Sequence, residues 1–173
     1  MFTLPTDEKA TGVMIYTHNM FIRGKAVTKQ SSRVSVWLRN ESAPDYIHLL
    51  MAQVTNFSCR ETRKLSYPEM YLPTGQIIGF HLTPPARDPL DYDETEKNRR
   101  MQPVTVLIGT FIFNGAIRIS AQVDLGTSIT SAHTIWMSIY NVRVSNPQLE
   151  QMGEIQVPML LVRPEQVGFG LGI

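Results

Sequence analysis

The chain has 173 residues, of which 43% are hydrophobic and 18% charged, and its formal net charge is +1 at pH 7. This composition provides enough apolar side chains for a core and excludes an intrinsically disordered chain. The nearly balanced charge gives no overall attraction to nucleic acid, an acidic substrate or a membrane surface. The single cysteine, Cys59, excludes an intrachain disulfide and is typical of a reducing compartment.

Residues 1–12 are predicted to be a short flexible leader, since they lack the basic start and apolar centre of a signal peptide. The apolar runs elsewhere are far shorter than the roughly 20 residues that a membrane helix needs. We therefore expect a soluble, cytoplasmic protein without a membrane partner.

Short apolar runs rich in β-branched and aromatic residues recur along the chain, separated by Gly, Pro, Asn and Ser. This pattern predicts β-strands, and no segment keeps a helical apolar period over three turns. The fold class is therefore predicted to be all-β. The principal runs are 13–16, 34–38, 46–51, 76–80, 104–108 and 134–139.

Residues 83–103 differ from the rest, with four prolines, nine charged residues and almost no large apolar side chain. Such a segment buries too little surface to order itself, so it is predicted to be a linker or exposed loop. Its interleaved acidic and basic residues predict a solvated charged face.

The segments on either side of this linker resemble each other. Residues 13–27 align without a gap on residues 104–118, which places Gly24 on Gly115. Such self-similarity predicts a duplicated domain, with unit 1 at 13–82 and unit 2 at 104–173. Three more segment pairs follow in the same order: 33–36 with 122–125, 46–54 with 134–142, and 68–80 with 158–170.

Each unit is predicted to be a small, partly open β-barrel of about five strands, and the two are expected to pack as a pseudo-symmetric pair. Asn114-Gly115 would also suit a tight hairpin turn, but the matching Arg23-Gly24 is a much poorer turn. We therefore expect one long first strand, bent or bulged at the glycine.

Unit 1 resembles a small bacterial domain family of unknown function. The matching residues are Ile15-Tyr-Thr, Ile22-Arg-Gly24, Arg33 to Leu38, Tyr46-Ile-His-Leu49, Ala52-Gln-Val54 and Gln76-Ile-Ile78. Unit 2 keeps the spacing but has Gln122, Asp124 and Thr127 in place of the Arg-x-Ser-x-x-Leu segment.

The predicted strand order is more distantly similar to that of Sm-like small barrels. Ser35 stands where those barrels have an aspartate, and Ile77-Ile78-Gly79 replaces their Arg-Gly pair. The departures fall on the RNA-contacting positions, so this resemblance implies a fold and not a function.

No sequence pattern indicates a catalytic, cofactor or metal site. The four histidines, His18, His48, His81 and His133, are isolated in sequence, whereas metal sites need clustered ligands. Asp45 and Asp124 lie near predicted strand starts without an evident partner. Cys59 has Arg60 and Arg63 beside it, which favours a thiolate, although the stretch also reads as an ordinary loop.

Three hypotheses remain. The first is a non-enzymatic binding or assembly module that associates with itself or a protein partner through strand edges or apolar faces. The second is RNA or single-strand binding, since basic residues lie near aromatic ones in unit 1. The third is an enzyme whose site unites His48, His133 and Cys59 between the units. The nucleic-acid or ligand contacts predicted under the second are Arg23, Lys25, Lys29, Arg33, Trp37 and Tyr46.

Overall fold

A computed structural model describes residues 4–40, 43–58 and 61–171. These residues form ten antiparallel β-strands, two short α-helices and three short 3-10 helices, so the fold is all-β as predicted. The chain divides into two compact units, the first ending at Asp88 and the second beginning at Pro89.

Unit 1 is an antiparallel sheet with the strand order β5-β1-β2-β3-β4. A helix, α1, connects β2 to β3, and a 3-10 helix connects β4 to β5. The elements are β1 (Glu8–Tyr16), β2 (Met20–Lys29), α1 (Val34–Arg39), β3 (Tyr46–Asn56), β4 (Arg63–Pro73), the 3-10 helix Thr74–Gln76 and β5 (Gly79–Leu82).

Unit 2 is an antiparallel sheet with the order β10-β6-β7-β8-β9. A helix, α2, again connects the second strand to the third. The elements are β6 (Arg99–Ile108), β7 (Phe111–Ser120), α2 (Leu125–Ser131), β8 (Met137–Ser145), the 3-10 helix Glu150–Met152, β9 (Ile155–Val162), the 3-10 helix Pro164–Gln166 and β10 (Gly168–Gly170).

The two units share strand order and register. Val13 pairs with Gly24 in unit 1, and Val104 pairs with Gly115 in unit 2. The register of the next ladder shifts at both glycines. A Cβ on Gly115 would lie 2.8 Å from the carbonyl oxygen of Tyr140, so glycine permits the close approach of β8 at this bulge.

The predicted long first strand is wrong, because each unit folds this stretch into a hairpin. In unit 1 the chain turns at residues 17–19, and Thr17 Oγ1 accepts the backbone N–H of Met20 at 3.0 Å. In unit 2 the turn contains Gly109, whose φ of 56° suits a glycine. Asn114-Gly115 therefore lies inside β7 and forms no turn, whereas the predicted bulge is present.

The sheet of each unit is open. Among the described residues, no ladder joins β4 to β5 in unit 1 or β9 to β10 in unit 2. The closed form of a small barrel is therefore absent.

The run 34–38 was predicted as a strand and is helix α1. In a strand, Val34, Val36 and Leu38 would share a face, but Val34 and Leu38 are buried while Val36 is 56% exposed. This i, i+4 burial is the periodicity of a helix, since alternate residues of a helix point in different directions.

The strands extend beyond the predicted unit boundaries. β1 begins at Glu8, inside the predicted leader, and β6 begins at Arg99, inside the predicted linker. Glu8 pairs with Lys29, and Arg99 pairs with Ser120. Backbone hydrogen bonds extend these ladders into segments with few apolar side chains. Amino-acid composition does not predict such bonds, because every residue except proline can form them through its backbone. Among the described residues, no helix is both long and apolar enough to cross a membrane.

Candidate functional site

Strand β4 is unusually exposed for an 11-residue strand. Leu72 is its only buried residue, and the exposed ones include Leu65, Tyr67 and Tyr71, with 42%, 43% and 60% of their surface accessible. In the described part of the chain, β4 is hydrogen-bonded to β3 on one side and to no strand on the other. Exposed apolar side chains therefore accompany a free row of backbone donors and acceptors.

The neighbouring strand, β3, adds two exposed apolar residues to this surface. Tyr46 pairs with Pro73, and Met51 lies between the pairs Leu50–Glu69 and Ala52–Tyr67. Both Tyr46 and Met51 are 57% exposed. Met51 has a φ of 51°, a left-handed conformation that is uncommon outside glycine. We call Tyr46, Met51, Leu65, Tyr67 and Tyr71 the β3–β4 surface.

A polar cluster lies on this surface. The imidazole of His48 stacks on the ring of Tyr71, with centroids 4.6 Å apart and planes inclined by 6°. The Tyr71 hydroxyl donates to Oε1 of Glu69 at 2.8 Å, and Nε2 of His48 lies 2.8 Å from the same oxygen. The hydrogen bond to Glu69 raises the pKa of Tyr71. These contacts hold three side chains of adjacent strands in one arrangement, in which Tyr71 and Glu69 are exposed and His48 is half-buried.

The six predicted nucleic-acid contacts occupy several elements of unit 1. Arg23 and Lys25 are exposed on β2, on either side of the Gly24 bulge, and Tyr46 belongs to the β3–β4 surface. Arg33 and Trp37 lie at α1. The charge of Lys29 is balanced by Asp7 and Glu8, whose carboxylate oxygens lie 2.7 and 3.1 Å from its Nζ.

The residues of the enzyme hypothesis lie in different parts of the chain. His48 belongs to unit 1 and contacts Glu69 and Tyr71, whereas His133 belongs to unit 2 and lines a cleft near α2. Cys59 lies outside the described residues. Within the residues that are described, no group of three or more His, Cys, Asp or Glu side chains is placed to hold a metal ion.

A buried polar pair in unit 1 has no signal in the sequence. The Tyr16 hydroxyl lies 2.9 Å from Nε2 of His81, and both residues are almost fully buried. Nδ1 of His81 lies 2.8 Å from the carbonyl oxygen of Leu82. Because a carbonyl only accepts, Nδ1 carries the proton, and Nε2 accepts from Tyr16. Burial lowers the pKa of His81 from 6.5 to about 4.

Two acidic residues of the predicted linker accept hydrogen bonds from the units, although the charged residues of this segment are exposed or half-exposed. Asp88 accepts from the hydroxyl of Ser35 in unit 1. In unit 2, Asp91 accepts from Ser138 and from Tyr140, each at 2.6 Å. Ser35 and Tyr140 are buried, so their hydroxyl groups require such partners, whereas Ser138 is half-buried.

Asp124 also has a structural role that its sequence position did not reveal. It is the N-cap of α2, and its Oδ1 accepts the backbone N–H of Thr127 at 2.9 Å. Hydrogen bonds from the backbone N–H and the hydroxyl of Thr127 lower the pKa of Asp124. Aspartate is among the residues preferred at a helix N-cap, but this preference alone does not predict a helix after it.

Comparison with protein-family models, with curated proteins and with solved structures finds no match to this chain. The resemblances of unit 1 to a small domain family and to Sm-like barrels therefore stay predictions. The candidate functional site is therefore the β3–β4 surface, because it combines exposed apolar side chains with a strand edge that no described strand pairs with.

Proposed function

We propose that this protein is a non-enzymatic assembly module and that two copies associate through the free edge of β4. The observation that carries the proposal is an 11-residue strand that, among the described residues, is paired on one side only and bears exposed Leu65, Tyr67 and Tyr71. A long apolar strand edge is a template for pairing with another chain. The matching strand of unit 2, β9, has eight residues and a largely buried second half.

The charges along β4 favour antiparallel pairing with a second copy. Arg63 and Lys64 begin the strand, and Glu69 lies in its second half. Pairing about a two-fold axis through Ser66 places Arg63 opposite the partner's Glu69 and Leu65 opposite the partner's Tyr67. Opposite charges and apolar pairs at directly facing positions each stabilise an antiparallel ladder. A two-fold axis also closes the assembly at two copies.

Pro68 limits the ladder without preventing it. Proline has no backbone N–H, and it is tolerated in a sheet where its nitrogen faces an unpaired edge. In the proposed register it faces the partner's Lys64, so each half of the ladder lacks one hydrogen bond. The contact is therefore expected to be reversible, with side-chain burial providing much of its stability.

The mass of the full chain in solution, measured by light scattering after gel filtration, tests this proposal. We expect a dimer at micromolar concentration and a monomer for Tyr67→Lys, because a buried lysine in an edge ladder opposes pairing. Leu90→Lys is the matched control, since Leu90 is 41% exposed and lies outside the β3–β4 surface. A monomeric wild type, or a dimer unchanged by Tyr67→Lys, would refute the proposal.

The common plan of the units supports a further part of this proposal, duplication of one small-barrel domain. Both units place a helix between their second and third strands and a 3-10 helix before their fifth. Met51 and Asn141 occupy the matching place in β3 and β8, and each has a φ of 51°. Superposition of separately determined unit structures is the test, and we expect the five strands of each to coincide.

Nucleic-acid binding through unit 1 is the alternative, and Arg23 and Lys25 are the exposed cations that favour it. Phosphate contacts would make the affinity fall steeply with salt. Under the assembly proposal, we expect no retarded band when the full chain is mixed with single-stranded RNA at low salt. A salt-sensitive shift that Arg23→Glu abolishes would favour the alternative.

A further inference from the structure

The two units differ at the position where the 3-10 helix follows the fourth strand. In unit 1 this position is Thr74, whose backbone N–H donates to the carbonyl oxygen of Asp45 at 2.8 Å. Its hydroxyl donates to the carbonyl oxygen of Pro44 at 2.5 Å. Thr74 is buried, so these two bonds fasten the 3-10 helix to the segment that leads into β3.

The matching residues of unit 2 follow from the register. Ile47 pairs with Leu72, and Met137 pairs with Val162, four residues before the left-handed Met51 and Asn141 respectively. Counting from these pairs places Pro164 at the position of Thr74. Thr134 and Ile135 then match Pro44 and Asp45, the two residues whose carbonyl groups accept from Thr74. The sequence match of 46–54 with 134–142 is two residues out of register with this structural match.

Proline at position 164 cannot make either bond, because it has neither a backbone N–H nor a hydroxyl. At this place unit 2 has an open cleft of about 450 Å³ between the end of α2 and the 3-10 helix. This volume lies within the range of small-molecule sites. The cleft is lined by Ile129, Ala132, His133, Thr134, Ile135, Pro164 and Glu165.

The lining has the chemistry of a site for a small organic cation. Ile129, Ile135 and Pro164 provide apolar walls, and Ile135 is 52% exposed. Glu165 contributes a carboxylate where unit 1 has Gly75. The carbonyl groups of Thr134 and Ile135 lack the donors that Thr74 supplies in unit 1, and an ammonium group has three donors and no acceptor.

From this comparison we propose that the unit 2 cleft binds a small primary amine. Its ammonium group takes the place of the Thr74 donors and pairs with Glu165, and its alkyl chain lies against Ile129, Ile135 and Pro164. The site belongs to unit 2, whereas the proposed assembly uses β4 of unit 1, so the two proposals depend on different residues.

The test is an NMR titration of the full chain with n-butylammonium chloride at pH 8, where an alkylammonium is still protonated. We expect amide shifts at Ile129, Thr134, Ile135 and Glu165, with a Kd of about millimolar for so small a ligand. 1-Butanol has a similar alkyl chain and no charge, and we expect it to bind at least about tenfold more weakly. Equal affinity for the alcohol would overturn the proposal.

Two variants give the titration its controls. Pro164→Thr supplies the donors that Thr74 supplies in unit 1, and we expect it to keep the fold and weaken binding at least about tenfold. Glu165→Gln removes only the charge, and we expect it to weaken binding about fivefold. Glu154→Gln is the matched control, since Glu154 does not line the cleft, and we expect it to leave binding unchanged. Unchanged binding by Glu165→Gln would overturn the proposal even if Pro164→Thr failed to fold.

A third ligand distinguishes a free amine from a lysine side chain. Nα-acetyl-lysine amide carries the same ammonium group on a peptide-like body. We expect it to bind no more tightly than n-butylammonium, and a clear preference for it would overturn the assignment to a free amine.

Discussion

The buried His81–Tyr16 pair makes the stability of unit 1 depend on pH. His81 is neutral in the folded protein, where its pKa is about 4. In the unfolded chain the same side chain has an ordinary pKa of 6.5. Among the described residues, its polar partners are the Tyr16 hydroxyl and the Leu82 carbonyl, and protonation of Nε2 would break the bond from Tyr16.

The sign of the effect follows from proton binding. Between pH 6.5 and about pH 4 the unfolded state holds a proton on His81 and the folded state does not, so stability rises with pH. The contribution is fully present above pH 6.5 and is lost as the pH falls through the folded value. A pKa difference of this size corresponds to about 3 kcal/mol, since one pH unit is equivalent to about 1.4 kcal/mol.

Urea unfolding measured at several pH values between 7.5 and 4 checks this prediction. Trp37 lies in unit 1 and Trp136 in unit 2, so Trp136→Phe leaves a fluorescence signal from unit 1 alone. Between pH 7.5 and 4, we expect the free energy of unfolding of unit 1 to decrease in both the His81 chain and a chain without His81. The decrease should be about 3 kcal/mol larger in the chain with His81.

The reference chain is the double variant Tyr16→Phe/His81→Leu. Replacing both partners by apolar side chains avoids an unpaired buried hydroxyl. Acidic groups such as Asp7 contribute equally to the pH dependence of stability in both chains. The difference between the two chains in that pH dependence therefore isolates the effect of His81. The same pH dependence in both chains would refute the reasoning.

Two further predictions concern the elements that the units share. Gly115→Ala places a Cβ 2.8 Å from the Tyr140 carbonyl oxygen, whereas in Gly24→Ala the nearest atom, the Leu50 carbonyl oxygen, is 3.3 Å away. We expect Gly115→Ala to destabilise its unit by about 2–3 kcal/mol and Gly24→Ala by about 1 kcal/mol or less, as urea unfolding measures; equal losses would contradict this. Asp124→Ala removes the cap of α2 and should lower the thermal midpoint of unit 2 by a few degrees, an effect that Asp124→Asn largely avoids.

Local sequence patterns determined the class of the fold. Alternating β-branched and aromatic runs indicated strands, and the register of Val13 on Gly24 and Val104 on Gly115 agrees with the gap-free match of residues 13–27 with 104–118. The strand register shifts at both glycines, and β8 approaches Gly115 too closely for a larger residue, whereas β3 leaves more room at Gly24. A close approach of this kind leaves a trace in the sequence, since only glycine fits.

Some sequence patterns are compatible with two local structures, and only tertiary contacts decide between them. Residues 13–27 are compatible with one strand or with a hairpin, and backbone pairing with neighbouring strands decides between them. Val34 to Leu38 has the alternation of a strand, but burial of Val34 and Leu38 without Val36 makes it a helix. Short apolar runs do not distinguish these states by periodicity alone.

The candidate sites depended most on the tertiary structure. Tyr46 was named from the sequence, but Leu65, Tyr67 and Tyr71 resemble core residues until the strand order leaves β4 at an edge. The role of Pro164 emerges only beside Thr74, whose bonds to Pro44 and Asp45 it cannot reproduce. The sequence shows which side chains are apolar and where proline removes a backbone N–H. Which of these residues are exposed depends on contacts with residues distant in the sequence, and only the tertiary structure shows those contacts.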